Sequence, residues 1–355
     1  MLTSKSIIGV KTINIVLAKR LFGRNLLIKW VIIRDYYHQL VNPKRKILAI
    51  LFELKYDPPV GELVKLSKDV STILAPNASP MTFRGTQTYI IGEGDELAII
   101  DPGPNISAHL QAINRVLRGK KLIAIFVTHS HVDHSPLGQE ISDMHNVPIY
   151  AFGGTGEGKS EIMKRYTEKS EIGGGEGVDP LFNPDILIST GDYVSCSSWS
   201  MEAIHTPGHM SNHLCFSLNQ GEALFSGDLV MGWATTLISP PDGDIGQYKA
   251  SLNSLLKRKE NLYYPGHGAP LKNAKKMVLA QLNHRNEREV DILNSISQKG
   301  SKINEIVDSV YHDLSDNLKI AASRNVLAHL IHFVEKGLVL VDDDNMSLDS
   351  LFKIK

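Results

Sequence analysis

The hydrophobic pattern is densest at Leu122–Val127, an unbroken apolar run that reads as a strand buried on both faces. Elsewhere the apolar runs are shorter and punctuated. Thr88–Gly92 and Leu97–Ile100 flank Glu93-Gly94-Asp95 and predict a hairpin, which Asp101-Pro-Gly-Pro stops abruptly. Within Asn105–Gly119, Ile106, Leu110, Ile113, Val116 and Leu117 fall at helical spacing. Strand, helix and strand of these lengths predict an α/β (α+β) layer structure. Further strands are predicted at Val147–Phe152, Trp199–Ile204, Ala223–Phe225 and Asn261–Tyr264. Beyond Leu271 the pattern turns helical, with Ala274 to Gln298, Ile303–Tyr311 and Leu318–Glu335, then two short strands at Leu338–Val341 and Leu351–Ile354. Three helices and a terminal hairpin suggest a winged-helix-like module, by analogy of fold alone.

Polar residues of one chemical kind gather where these strands end. His129-Ser-His131-Val-Asp133-His134 begins at the end of the central run. Side chains along a strand repeat with period two, so His129 and His131 point the same way, and the following turn carries Asp133 and His134 round. A helix-start loop with incidental histidines is the bland alternative, but three His and one Asp in so short a stretch favour a metal site. The other predicted strands deliver His205-Thr-Pro-Gly-His209, Ser226-Gly-Asp228 and Pro265-Gly-His267. Candidate ligands thus follow the carboxyl ends of separate strands, where open α/β sheets place their sites.

Charge refines this picture. The 355 residues carry no formal net charge, yet Met1–Lys46 holds ten Lys/Arg and one acid, leaving 28 basic and 37 acidic residues in the remainder. A body net negative by nine disfavours sequence-independent binding to nucleic acid, although recognition of a short single-stranded RNA end stays open. The basic, acid-poor start reads as an extension, with an organelle-targeting peptide or a membrane-surface helix as alternatives. Two cysteines, Cys196 and Cys215, fit a reducing compartment, and no apolar stretch approaches the length of a bilayer span. The expected location is cytoplasmic, or the mitochondrial matrix if the basic start is a targeting peptide.

Taken together, the 129–134 cluster, Thr206-Pro-Gly-His-Met-Ser-Asn-His213, Ser226-Gly-Asp228 and Tyr264-Pro-Gly-His-Gly resemble the metallo-β-lactamase superfamily. Pro80-Met-Thr-Phe-Arg-Gly-Thr-Gln-Thr-Tyr89 and the winged-helix-like tail after His284-Arg285 are similar to its β-lactamase-like protein 2 group. The resemblance implies an αββα sandwich with a dinuclear zinc site. His129, His131 and His209 would hold one Zn²⁺; Asp133, His134 and His267 the other; Asp228 would bridge. Imidazole and carboxylate suit Zn²⁺, with Mn²⁺ or Fe as substitutes, and a pair of ions generates hydroxide near neutral pH and clamps the reacting oxygens. Asp133 would both ligate and orient that hydroxide. Asp101 has two readings, a turn aspartate before Pro102 and hydrogen-bonded support of a ligand histidine. The implied domains are 1–55, a basic extension; 56–283, catalytic; and 284–355, winged-helix-like.

The remaining motifs are weaker. Gly153-Gly-Thr-Gly-Glu-Gly-Lys-Ser160 satisfies the phosphate-loop pattern, but it lies inside the metal domain and is expected to be a flexible surface loop. His205 and His213 flank His209; His213 is carried as a candidate substrate contact. Cys215 is expected to be a small buried strand residue. The tail has nine basic against twelve acidic residues from His284 onward, so it reads as a packing or dimerisation lobe. The leading expectation is a hydrolase of an ester, thioester or phosphodiester. A glyoxalase II-like glutathione thioesterase and a nucleic-acid-binding regulator with a vestigial metal site are the alternatives.

Overall fold

The computed structural model describes residues 46–169, 172–311, 316–342 and 346–355. The expectations for residues 1–45 lie outside the described residues. A short helix, α1 (Lys46–Leu51), precedes the compact unit Leu51–Lys355.

The first sheet runs β1 (Leu63–Lys65), β2 (Val70–Leu74), β3 (Gln87–Ile91), β4 (Glu96–Ile100), β5 (Lys121–Phe126), β6 (Ile149–Ala151) and β7 (Ile186–Leu187), in chain order across the sheet. Its first three pairings are antiparallel and the rest parallel. The change follows from the connections. A short turn joins β3 to β4, whereas α2 (Ser107–Leu117) crosses from β4 to β5 and α3 (Leu137–His145) from β5 to β6. The second sheet contains β8 (Tyr193–Ser195), β9 (Ser200–His205), β10 (Leu214–Leu218), β11 (Ala223–Gly227) and β12 (Tyr263–Pro265), with only β11 and β12 parallel. Helix α5 (Ile245–Lys257) links those two, and α6 (Ala274–Ser295) packs on α5.

Alternation along the strands sorts the core into layers. Tyr89, Ile91, Ala98, Ile100, Ala124 and Phe126 face Met201, Ala203, Leu214, Phe216 and Phe225 between the sheets. The intervening positions, Ile90, Leu97, Ile99 and Ile125, pack on α2 and α3 through Ile113, Leu117, Leu137 and Ile141. Both faces of β5 are therefore covered, which is why its sequence lacks polar alternation. On the far side of the second sheet, Ser251 of α5 donates to the Pro207 carbonyl, and Gly208 lies so near Tyr248 that an added Cβ would fall 2.3 Å from its Cα. The αββα arrangement is complete.

A second core lies at the C-terminal end. Ile292 of α6 joins Ile303, Ile306 and Val307 of α7 (Ile303–Val310), Val326, Leu330 and Ile331 of α8 (Asp316–Glu335), and Val339 and Phe352 of the antiparallel pair β13 (Val339–Val341) and β14 (Phe352–Ile354). Met163, Tyr166 and Ile172, from the insertion after β6, pack into this same core. That insertion contains α4 (Glu161–Lys169), and Lys159 pairs with Asp242 at 3.2 Å while Ser160 donates to Asp244 at 2.7 Å. The phosphate-loop-like segment is thus a packed connection, correcting the expected flexible surface loop. The expected boundary between residues 283 and 284 falls inside the continuous α6.

His109 of α2 is fully buried, with Nε2 2.8 Å from Thr88 Oγ1, and burial pushes its pKa down to about 4. In the unfolded chain a histidine titrates near 6.5. The neutral ring therefore contributes stability above that pH, and the contribution is lost as pH falls towards 4. About 2 kcal/mol disappears between pH 7 and pH 5 from this group alone. Urea unfolding with chelator present should show His109→Gln losing less stability than wild type over that interval; parallel losses would contradict the assignment.

Candidate metal centre

Seven side chains converge between the free ends of the two sheets. The turn after β5 supplies His129, His131, Asp133 and His134; the loop after β9 supplies His209; the end of β11 supplies Asp228; the end of β12 supplies His267. Three groups have ligand atoms mutually within 4.8 Å: His129, His131 and His209; His129, His134 and Asp228; and Asp133, His134 and His267. His131 Nδ1 lies 2.9 Å from His129 Nε2 and 3.1 Å from His209 Nε2. Asp133 Oδ2 lies 3.3 Å from His134 Nε2 and 3.2 Å from His267 Nε2. Asp228 spans both trios, with Oδ2 3.3 Å from His267 and 3.7 Å from His209, and Oδ1 3.6 Å from His134.

Hydrogen bonds on the outer side of the rings decide what these atoms can do. Thr128 Oγ1 donates its one proton to Asp101 Oδ2 at 2.8 Å, so it accepts from His129 Nδ1 at 2.9 Å. His134 Nδ1 donates to Asp101 Oδ2 at 2.9 Å, His209 Nδ1 to the Leu237 carbonyl at 2.8 Å, and His267 Nδ1 to the Gly85 carbonyl at 3.1 Å. In the neutral rings each Nε2 is left with a lone pair directed inward. Ligand atoms about 2.1 Å from a tetrahedral ion lie about 3.4 Å apart, a spacing these contacts bracket. Such a set of inward lone pairs and carboxylates fits divalent cations, and His134 Nε2 and Asp228 Oδ1 are buried without a hydrogen-bond partner.

The electrostatics divide the site. Burial and neighbouring histidines hold His129 well below the ordinary imidazole value, and burial with His209 brings His131 down to about 3. Burial lowers His209 as well, against the pull of Asp228. Burial also opposes charge on His134 and His267, but Asp133 and Asp228 overcome it; His134 is raised well above normal and His267 to about 10. Both carboxylates are held well below normal, the paired imidazoles outweighing burial. The pocket is built around negative charge that calls for cations.

Two glycines permit this density. A Cβ on Gly266 would fall 2.4 Å from Asp228 Oδ1 and 2.7 Å from His134 Cε1. One on Gly227, whose φ is +46°, would lie 2.6 Å from His213 Nε2.

His213, a candidate substrate contact from the sequence, lies away from the opening. It is fully buried behind the cluster, its Nδ1 3.0 Å from Thr206 Oγ1, and its Nε2 accepts from the Asp228 amide at 3.3 Å. Its ring stacks on His129 with centroids 5.1 Å apart. His205 points elsewhere, stacking on Phe152 and bonding the Ser211 carbonyl. Cys215 is a buried free thiol on β10, with burial pushing its pKa up to about 12. The pocket opens beside His131 and Asp133, which are partly exposed, next to the exposed Val132. Sequence reasoning missed Thr86, which donates to Asp133 Oδ2 at 2.8 Å, and Gln87, whose Nε2 donates to the Gly268 carbonyl at 2.6 Å. Both sit in the quoted Pro80–Tyr89 motif, which was the available signal.

Comparison with known proteins agrees with this geometry. Residues 81–267 match the metallo-beta-lactamase superfamily model, and residues 303–347 match the beta-lactamase associated winged helix domain. A beta-lactamase-like protein 2 homolog of Caenorhabditis elegans is 30% identical over 288 residues, covering 79% of this chain and 89% of the relative. An atrochrysone carboxyl ACP thioesterase of Paecilomyces divaricatus is 28% identical over 243 residues, 68% of each chain. A solved beta-lactamase domain protein from Burkholderia ambifaria superposes with a TM-score of 0.69 at 19% identity, covering 85% of this chain and 96% of that one. With the fold, the ordered motifs and the relatives in agreement, the chain belongs to the metallo-β-lactamase superfamily of hydrolases and carries a beta-lactamase-associated winged helix domain.

Proposed function

We propose that this chain is a binuclear zinc hydrolase acting on a small acyl ester or thioester. The observation that carries the reading is the convergence of the Nε2 atoms of His129, His134, His209 and His267 on Asp133 and Asp228, each ring fixed by a partner at Nδ1. His129, His131 and His209 would hold one ion and Asp133, His134 and His267 the other, with Asp228 facing both sets. When bound, the ions supply Lewis acidity towards the scissile group and acidify the attacking water. The chain's own residues do the rest. Asp133, anchored by Thr86, sits at the opening and would orient that water. Asp101 keeps the His134 proton on Nδ1. The histidine and carboxylate donor set suits zinc, with iron or manganese as substitutes.

A carbonyl substrate is favoured over a phosphodiester by the acidic body and by the thioesterases among the relatives. The acidic tail likewise favours a structural winged-helix domain over a nucleic-acid reader. We assign residues 56–283 to catalysis and 284–355 to that domain. Among the described residues no helix is long and apolar enough to cross a membrane. Two free cysteines suit the cytoplasm.

Metal analysis with a panel of fluorogenic thioesters, lactones and short single-stranded RNA tests the proposal. Two zinc ions per chain are expected, with thioester hydrolysis abolished by chelator and restored by zinc. Absence of bound metal, or cleavage indifferent to chelation, would defeat it; chelator-sensitive cleavage of RNA alone would reassign the substrate.

A further inference from the structure

The loop between Asp228 and α5 reaches a candidate ligand ring through the Leu237 carbonyl. Leu237 O accepts the His209 Nδ1 proton. The residues on either side of Leu237 are tied to helices that follow the catalytic sheets. Arg285 of α6 donates from Nη2 to the Thr236 carbonyl and from Nη1 to Asn325 Oδ1 of α8 at 3.3 Å. The same Asn325 oxygen accepts from the Ile238 amide at 3.3 Å. Arg324 of α8 donates from Nε to Ser239 Oγ at 2.8 Å and from Nη2 to the Pro240 carbonyl. Its Nη1 donates to the Ile172 carbonyl in the insertion, a few residues before Val178, which pairs with His131. Thr236 Oγ1 in turn donates to the Asp228 carbonyl. Arg285 and Arg324 are both buried.

We infer that Arg285, Arg324 and Asn325 are positioning residues for the metal ligand His209, acting through the 236–240 loop and the Leu237 carbonyl. Two features argue for this beyond ordinary domain packing. Buried guanidinium groups bonded to backbone carbonyls make charge-assisted bonds about twice as strong as neutral ones. Four anchors within five residues, at Thr236, Ile238, Ser239 and Pro240, skip only Leu237, whose carbonyl remains available to His209. A ligand histidine whose outer nitrogen is held to a fixed carbonyl keeps its tautomer and ring orientation. The winged-helix domain is then a template for one of the two ion sites.

This inference rests on the proposed zinc site, and chelator competition with zinc on the full-length protein tests it. In Arg285→Met and in Asn325→Ala, the ion held by His129, His131 and His209 should weaken by about 10- to 100-fold. The ion held by Asp133, His134 and His267 should weaken at least about threefold less, because its own outer partners, Asp101 and Gly85, are untouched and it shares with the loop only Asp228, whose carbonyl Thr236 holds. Arg285→Lys, which can still donate to the Thr236 carbonyl, should recover most of the lost affinity. Arg258→Met is the control: that guanidinium pairs with Glu202 and Glu260, each at 2.7 Å, away from the loop. It should lower the melting temperature and leave both affinities alone. Should Arg285→Met fail to fold, Asn325→Ala decides. Unchanged affinities, or equal weakening of both ions, overturn the inference while the zinc hydrolase stands. A wild-type chain that takes up no zinc overturns both.

Discussion

An Asp228→Asn protein is expected to fold, to hold one zinc ion tightly where two are proposed for wild type, and to lose about a thousandfold in kcat/KM. Asp228 is the one carboxylate whose oxygens face His209, His134 and His267 together, at 3.3 to 3.7 Å. An asparagine keeps its volume and one acceptor oxygen but removes the charge, and its amide N–H groups would bond the same Nε2 lone pairs that the ions need. The pair of cations would then lack the shared negative charge that offsets their mutual repulsion. A thousandfold corresponds to about 4 kcal/mol of transition-state stabilisation. The backbone is insulated from the change, since the Asp228 amide and carbonyl are held by His213 and Thr236. Metal analysis after dialysis against a weak chelator, with kcat and KM measured separately, checks the result. Two retained ions and near-normal turnover would remove Asp228 from the centre.

Much of this site was legible in the sequence because its parts follow strands with strong patterns. The run before His129, the β9 run before His209 and the short runs before Asp228 and His267 all appear where expected. Elements that stayed hidden lacked a clean period. Strand β2, Val-Ser-Thr-Ile-Leu, is buried at every position, so alternation gives no cue and its Ser and Thr look like loop. Helix α4 is flanked by glycines, and only Met163 and Tyr166, three apart, betray its buried face. Helix α5 follows Pro240-Pro-Asp-Gly-Asp244, which reads as a turn, yet Asp244 caps it by accepting from the Gly246 and Gln247 amides. His213 misled because proximity in sequence to His209 says nothing of depth. Arg285 and Arg324 sit in helices that look like charged surface, and only tertiary contacts reveal their carbonyl partners.

The same distinction between ligands and their outer partners makes Asp101 the sharper test of how the site is built. Its carboxylate is buried and accepts three bonds: from the Thr128 amide at Oδ1, 2.7 Å, and from Thr128 Oγ1 and His134 Nδ1 at Oδ2, 2.8 and 2.9 Å. An asparagine has one acceptor oxygen and one donor group, so at least one of these donors must face another donor. If the amide nitrogen takes the Oδ1 place, it opposes the Thr128 amide, which cannot give up its proton. If it takes the Oδ2 place, His134 is driven to the tautomer protonated on Nε2, the nitrogen that faces the metal. The turn itself is not at issue: Asp101 has a φ of +52°, a left-handed conformation that asparagine adopts as readily. Asp101→Asn should therefore keep its melting temperature within a few degrees and weaken the ion bound by Asp133, His134 and His267 by about 10- to 100-fold. With zinc in excess, kcat should recover much of its value, because Asp101 touches no substrate. A variant that binds both ions as wild type does, at any zinc concentration, would reduce Asp101 to the turn aspartate that its place before Pro102 also suggests.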